Sequence, residues 1–292
     1  MTIKENSINH SATKSDPIKM KSPTINCSLV ITTYNWPRAL EKVLQSVAWQ
    51  SILPREVLVA DDGSSEDTAD FIKNVQATFP IAIKHFWQED IKKRKTRINN
   101  IAIANAAHEY LIFIDHDMVL HPRFLEDHLS LAKPGYFING SRFLVNKQST
   151  DLLLAKETIT PFDLNKLKGK NNLNRIRIPA LMSFLANRYQ TQDNKAHIVR
   201  GCNMAFWKTD LFAVNGYDER YQGWGREDSD IAIRLFNNGI KKRSIKFGGI
   251  GYHLQHKEGN KTDDDLYVRM MTHAIETKSK WAETGLNQHL NF

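Results

Sequence analysis

Three short runs in this chain hold residue types at spacings that chemistry can use. The first is Asp115-His116-Asp117, which closes an apolar stretch. Side chains at i and i+2 of an extended segment point the same way, so the two carboxylates converge on one spot. Paired carboxylates repel each other unless a cation lies between them, and a hard divalent ion takes oxygen ligands readily. If that ion also held a diphosphate, it would neutralise charge building on a leaving group. The same triplet also suits a plain strand end before a turn, where Asp is common.

The second run is Trp224-Gly225-Arg226-Glu227-Asp228-Ser229-Asp230. Gly223 and Gly225 let the backbone turn sharply beside the Trp224 indole, and Glu227 and Asp228 then enter the first turn of a helix. The helix dipole and its free N–H groups would keep a carboxylate ionised there, as a general base must be. Acidic residues in a first turn are also ordinary capping chemistry. The third candidate is His253, after the apolar, Gly-containing stretch Phe247–Tyr252. An imidazole added to carboxylates suits Mn2+ better than Mg2+ or Ca2+. His256, three residues on, carries less weight as a ligand.

A frame must bring these runs together. Asn26–Thr33 is nearly continuous in apolar residues, as expected of a strand covered on both faces. In Pro37–Gln50 the residues Leu40, Val43, Leu44 and Val47 share one helical face, and Pro37 suits the first turn. Glu56–Ala60 reads as a strand ending at Asp61-Asp62-Gly63-Ser64, and Glu66–Phe79 as a helix capped by Ser64 or Ser65. Strand Ile81–Trp87, helix Thr96–Ala107, strand Tyr110–Ile114 and helix Pro122–Ala132 follow. This alternation predicts the α/β class, with a mainly parallel sheet between helices and ligands beyond the carboxyl ends of its strands. Both acidic clusters fall at that edge. Later, His197–Trp207 reads as a strand, Thr209–Asn215 as a short helix ended by Gly216, and Glu227–Asn238 as a longer helix ended by Gly239.

The composition bounds the rest. A chain of 292 residues with 41% hydrophobic residues can bury a substantial core. Cys27 and Cys202 are its only cysteines, too few for a disulfide framework and in keeping with a reducing compartment. Residues 1–22 are polar, lack the apolar core of a signal peptide and read as a mobile tail. The net charge of +8 favours anionic partners. Most of it falls between Val145 and Arg200, where ten basic residues face four acidic ones. Within that segment Ile176–Tyr189 mixes apolar residues with Arg. It suits either an anionic membrane surface or a lid packed on the core with a solvated basic face.

The recognisable segments come in a fixed order. They are Val30-Ile-Thr-Thr-Tyr-Asn35, Val57-Leu-Val-Ala-Asp-Asp-Gly-Ser64, Arg97, Phe113-Ile-Asp-His-Asp-Met118, Gly201-Cys-Asn-Met-Ala-Phe206, Gly216-Tyr-Asp218, the Trp-Gly-Arg-Glu-Asp run and Tyr252-His253. On these residues the chain resembles the family 2 glycosyltransferases of the GT-A fold. Its carboxyl-terminal part is similar to the galactosyltransferase module of chondroitin-type polymerases and β-1,4-galactosyltransferases. Arg226 stands where many relatives carry Gly, and Ile98 where an Asn usually follows the arginine.

The resemblance implies a nucleotide-sugar-binding half over residues 23–145, a basic insertion or lid over 146–198, an acceptor-binding half over 199–260 and a helical extension over 261–292. Thr32, Tyr34 and Asp61 would hold uracil and ribose, with Arg97 near the nucleotide and Asp115 on ribose or metal. Asp117 and His253 would ligate Mn2+ (or Mg2+) together with the donor diphosphate. Asp228 would be the catalytic base, while Trp224 and Glu227 shape the acceptor site. The implied reaction moves a sugar from a UDP-sugar to a hydroxyl of a glycan or lipid-linked glycan with inversion. Its implied setting is surface polysaccharide or lipopolysaccharide synthesis at the cytoplasmic membrane face.

Other readings remain. A retaining GT-A transferase would use much the same module. A nucleotidyltransferase could use the acidic pair, but the first turn has no Gly-rich, Lys-containing phosphate loop. A nucleic-acid-binding protein could be built on the basic segment, which lacks a reading motif and interleaved stacking aromatics, so no nucleic-acid partner is expected.

Overall fold

A computed structural model describes residues 25–188, 190–191, 198–223, 225–257 and 264–290. The expected tail over 1–22, together with His197 and Trp224, lies outside the described residues. The first half alternates β1 (Cys27–Thr33), α1 (Pro37–Ala48), β2 (Glu56–Asp61), α2 (Glu66–Gln76), β3 (Ile83–Trp87), α3 (Lys95–Asn105) and β4 (Tyr110–Asp115). Next come β5 (Met118–Leu120), α4 (Phe124–Leu131), β6 (Tyr136–Asn139) and β7 (Phe143–Val145). The basic segment folds as α5 (Lys147–Leu154), α6 (Pro161–Asn165), β8 (Gly169–Lys170), a 3-10 turn (Asn172–Arg175) and α7 (Pro179–Arg188). After β9 (Gln190–Thr191) come β10 (Asn203–Trp207), α8 (Lys208–Ala213), α9 (Glu227–Asn237), β11 (Lys241–Ser244), β12 (Gly251–His253) and α10 (Asp264–Glu276).

The main sheet has the order β3-β2-β1-β4-β10-β6-β11-β9. β1 is buried along its whole length because helices cover both faces, which is why its sequence is apolar without alternation. One core packs α1 against Leu29, Ile31, Val57 and Val59 of the sheet; the other packs α3 against Val30, Leu58 and Phe113. β10 runs antiparallel to β4, so the sheet is mixed and mainly parallel. The expected strand His197–Trp207 is shorter than its apolar pattern suggests, since only Asn203–Trp207 joins the ladder. No helix among the described residues is long and apolar enough to cross a membrane.

A second sheet, β5-β12-β7-β8, has no clear counterpart in the sequence pattern. Its strands have two to three residues each, too few for any period to show. It has a particular consequence. The antiparallel pairing of β12 with β5 sets His253 opposite Met118, and Leu254 N donates to Asp117 O at 2.9 Å. Residues more than a hundred positions apart thereby become neighbours.

Candidate active site

Asp117 sits where β4 turns into β5, with its side chain almost fully buried. His253 Nε2 stands 3.4 Å from Asp117 Oδ2, and His256 Nε2 stands 3.0 Å from the same oxygen. The three residues offer ligand atoms that all lie within 4.8 Å of one another. Asp117 Oδ1 is shut off from solvent and has no hydrogen-bond partner among the described residues. A buried carboxylate oxygen left without a partner costs free energy unless something binds it. A bound cation would give this oxygen the partner it lacks. One carboxylate with two imidazoles is a donor set for a divalent transition ion.

Electrostatics reinforce this. Burial pushes the Asp117 carboxyl up, but the His256 hydrogen bond and the nearby His253 and His116 outweigh it and hold the group well below the usual carboxylate range. The hydrogen bond to Asp117 pushes His256 up to about 9, whereas burial pulls His253 down. Trp36, just before α1, sets its indole edge-on to both His116 and His256. Beyond His256 opens a cavity of about 520 Å³, lined by Trp36, Lys147, Thr150, Leu154 and Lys257 among others. That is within the range of a small-ligand pocket.

Asp115 is held by a different partner. Lys95, at the start of α3, places Nζ 2.8 Å from Asp115 Oδ1. Burial opposes charge on both, yet the pairing raises Lys95 well above its ordinary value and lowers Asp115. The start of α3 is itself fixed, since the Asp62 carboxylate accepts from Arg94 N at 3.0 Å and from Gln88 Nε2 at 2.6 Å. Arg97 Nη1 then donates to Gln88 Oε1 at 2.9 Å, so Arg97 belongs to this network.

Asp228 lies in the first turn of α9, where the sequence places it. Helix position alone would keep it ionised; the structure corrects that expectation. Burial and the like charge of Glu227 outweigh the pull of Lys95, and the Asp228 carboxyl is pushed up to about 7. Its Oδ1 is cut off from solvent and unpartnered among the described residues, and its carboxylate packs on Gly201, where any Cβ would collide with it. Glu227 Oε2 turns back to accept from Gly225 N at 3.1 Å. Arg226 enters the helix with φ 72°, a left-handed conformation that glycine adopts freely and other residues rarely enter. Asp115, Asp117, Lys95 and Asp228 thus form one electrostatically connected cluster.

The remaining expected residues line the carboxyl edge of β1 and β2. Thr32 pairs in register with Asp115, and its Oγ1 donates to Asn99 Oδ1 at 2.9 Å. Asp61 is fully buried: Oδ1 accepts from Ser64 N at 2.8 Å and Oδ2 lies 2.9 Å from His85 Nε2. Tyr34 is half exposed, and its hydroxyl donates to Asp90 Oδ2 at 3.1 Å.

The "Glycosyl transferase family 2" model matches residues 28–211, well over half of the sequence, and "N-terminal domain of galactosyltransferase" matches residues 183–257. The chain belongs to glycosyltransferase family 2. This family 2 transferase is 26% identical over 254 residues to the chondroitin synthase of Escherichia coli, a match covering 82% of the chain and 36% of that protein. It is 26% identical over 225 residues to validoxylamine A glucosyltransferase of Streptomyces hygroscopicus subsp. limoneus, covering 73% and 48%. The chain therefore spans about a third to a half of the length of these relatives. Among solved structures it resembles S. aureus TarS 1–349 in complex with UDP-GlcNAc, with a TM-score of 0.60 at 15% identity over 91% of this chain and 69% of that one. It also resembles the mannosyltransferase PcManGT from Pyrobaculum calidifontis in complex with GDP-Man and Mn2+, with a TM-score of 0.54 at 20% identity, covering 84% and 62%. The fold is GT-A.

Sequence reasoning gives His256 little weight and passes over Lys95, Asn99 and Arg142. His256 had only its three-residue distance from His253 to recommend it, and its place beside Asp117 comes from the turn after β12. Lys95 and Asn99 sit on α3 among residues of no special pattern. Arg142 donates to Cys202 Sγ at 3.2 Å and lends its charge to Asp115 and Asp117. Only the second sheet brings it there.

Proposed function

We propose that this chain transfers a sugar from a UDP-sugar to a hydroxyl of an acceptor glycan, with inversion at the anomeric carbon. What supports the reading above all is the convergence of Asp117, His253 and His256 on one small volume next to Asp115, at the carboxyl edge of a GT-A sheet. These three residues would hold a divalent ion, Mn2+ in preference to Mg2+ because two of the ligands are imidazoles. Such an ion neutralises charge that builds on a departing diphosphate. A solved relative in fold contains GDP-Man and Mn2+, and another contains UDP-GlcNAc.

The chain's own residues supply the rest of the mechanism. Thr32, Tyr34, Asp61 and Arg97 would form the wall on which uracil and ribose rest, and Asp115 would contact ribose or the ion. Asp228 takes the proton of the acceptor hydroxyl as that oxygen attacks the anomeric carbon opposite the departing UDP. Glu227, with Trp224, shapes the acceptor end. A carboxyl pushed up to about 7 suits this task, since a base works best when its pKa lies near the working pH. The division into a donor half over 23–145, a basic insertion over 146–198, an acceptor half over 199–260 and a carboxyl-terminal extension follows the same reading.

The acceptor we propose is a glycan or lipid-linked glycan in surface polysaccharide or lipopolysaccharide synthesis, handled at the cytoplasmic membrane face. A 29% identical match over 130 residues to a Campylobacter jejuni GalNAc(5)-diNAcBac-PP-undecaprenol beta-1,3-glucosyltransferase supports it. The test is a screen of nucleotide sugars for Mn2+-dependent hydrolysis, then product-linkage NMR once an acceptor is found. Hydrolysis of one UDP-sugar that chelation abolishes and Mn2+ restores is the expected result. No turnover of any nucleotide sugar would defeat the proposal, and a retained anomeric configuration would defeat the inverting step.

A further inference from the structure

Fourteen large apolar side chains are exposed among the described residues, and seven of them come from residues 152–198, so that segment presents an apolar surface out of proportion to its length. Four of the seven belong to α6, the 3-10 turn and the residues that follow it. Arg175 donates to the carbonyls of Leu164, Asn165 and Leu167 at 3.1, 3.0 and 2.8 Å, which fastens the turn bearing Leu173 to the carboxyl end of α6, the short helix that also carries Phe162. Lys166 lies over the Phe162 ring at 4.6 Å. Phe162 is 65% exposed and Leu173 69%.

The next residues invert the usual polarity. Arg177 turns inward to Asp127, with Nη2 2.7 Å from Oδ1, while Ile176 and Ile178 on either side remain exposed. Charged-in and apolar-out is costly in water and needs a reason. The sequence pattern placed the amphipathic surface on Ile176–Tyr189. The structure moves its centre, because Met182 and Ala186 of α7 are buried against the body of the protein. Phe184 of α7 is also exposed, but Phe162, Leu173, Ile176 and Ile178 come from α6, the turn and the extended strap before α7.

The charge around this surface is one-sided. Between Pro161 and Ile178 five basic residues face a single acidic one, Asp163, which is buried and paired to Lys156. Lys166, Lys168 and Lys170 are all exposed. Protein–protein interfaces are depleted in lysine, whereas membrane interfaces combine buried Phe and Leu with lysines whose stems lie along the apolar layer and whose heads reach acidic lipid.

We propose that the face formed by Phe162, Leu173, Ile176 and Ile178, ringed by Lys166, Lys168 and Lys170, docks on a bilayer bearing anionic headgroups. The docking does not depend on transferase chemistry, so it stands or falls separately from the proposed reaction.

The test is co-sedimentation of the whole chain with vesicles of phosphatidylcholine alone and of phosphatidylcholine mixed with phosphatidylglycerol. The protein should pellet with the mixed vesicles only and detach partly at high salt. Each Lys→Ser change at 166, 168 or 170 should weaken partitioning about fivefold. Phe162→Asp with Leu173→Asp should abolish it while the melting temperature and circular dichroism stay as in the parent chain, as befits residues outside the core. Binding to both vesicle types alike, binding to neither, or undiminished binding by the double variant would overturn the proposal. So would a self-association, seen by analytical ultracentrifugation, that the double variant loses, since the face would then be an interface between copies of the chain.

Discussion

The Lys95 ammonium lies 2.8 Å from Asp115 Oδ1 and within electrostatic reach of Asp228. One cation on α3 therefore offsets carboxylates that come from β4 and α9, two elements far apart in the chain. Replacing Lys95 by Met leaves those carboxylates facing each other. Asp228 should then hold its proton to higher pH, and the acid limb of the kcat/KM profile should move up. Lys95→Arg retains the charge and should keep that limb near its original place while kcat falls. If Lys95→Met left the limb unmoved, Lys95 would have no electrostatic part in setting the base.

The base itself gives a second prediction. With its carboxyl near 7, Asp228 is protonated in acid, so kcat/KM should fall about tenfold per pH unit below that point. Asp228→Asn should remove transfer yet leave UDP binding, read by calorimetry, nearly intact. The stability change runs the other way. A carboxyl raised by burial contributes stability in its protonated form, fully present below the ordinary carboxyl pKa and lost as pH rises through about 7. The amide lacks that penalty, so the variant should melt higher than the parent at pH 8, by a margin that shrinks as pH falls and closes only below the ordinary carboxyl pKa. Transfer at normal rates in the variant would remove Asp228 from the mechanism.

How far the sequence discloses all this depends on the scale of the signal. The β1–β4 core is legible because β1, β2 and β4 are apolar runs and α1 has a periodic apolar face behind Pro37, although α2 lacks the side-chain cap expected at Ser64 or Ser65. Asp115, Asp117 and Asp228 were legible as candidates because they fall at element ends, where side chains project into clefts. His256 and Arg142 were not. Their positions depend on strands of three residues and a turn, and no local pattern announces which distant carboxylate a short strand will meet. The protonation of Asp228 is hidden from the sequence for a related reason: the helix terminus is visible there, whereas Glu227, Asp115 and the burial around Gly201 act through space.

The two imidazoles make unequal contributions to the ion site. His256 is raised to about 9 and carries a proton at neutral pH, which an incoming cation must displace, while His253 is held neutral by burial. Apparent Mn2+ affinity, followed by the electron paramagnetic resonance signal of the free ion, should therefore rise with pH between about 6.5 and 8, where His256 still carries the proton the ion must displace. His253→Ala and His256→Ala should each weaken binding at least about tenfold. The pH slope should survive in His253→Ala and largely disappear in His256→Ala. Equal slopes in both variants would show that His256 is not a ligand.

A last prediction concerns the support beneath the site. His128 is fully buried on α4, and its Nε2 donates to Asn203 Oδ1 at 2.8 Å, while Nδ1 has no partner among the described residues. Asn203 Nδ2 in turn donates to Ser141 O and Gly249 O at 2.9 and 3.0 Å, which ties α4 to the loop that leads into β12 and so to His253. Burial pulls His128 down to about 4, because nothing solvates or pairs the second ring nitrogen. A folded-state pKa below the unfolded value contributes stability that is present above the unfolded pKa and lost as pH falls through about 4. The difference is worth about 3 kcal/mol at neutral pH by linkage. Urea midpoints should fall steadily from pH 7 to pH 4, and His128→Gln, which has no charge to gain, should flatten that decline although it starts less stable. A decline as steep in the variant as in the parent would show that groups other than His128 govern acid unfolding.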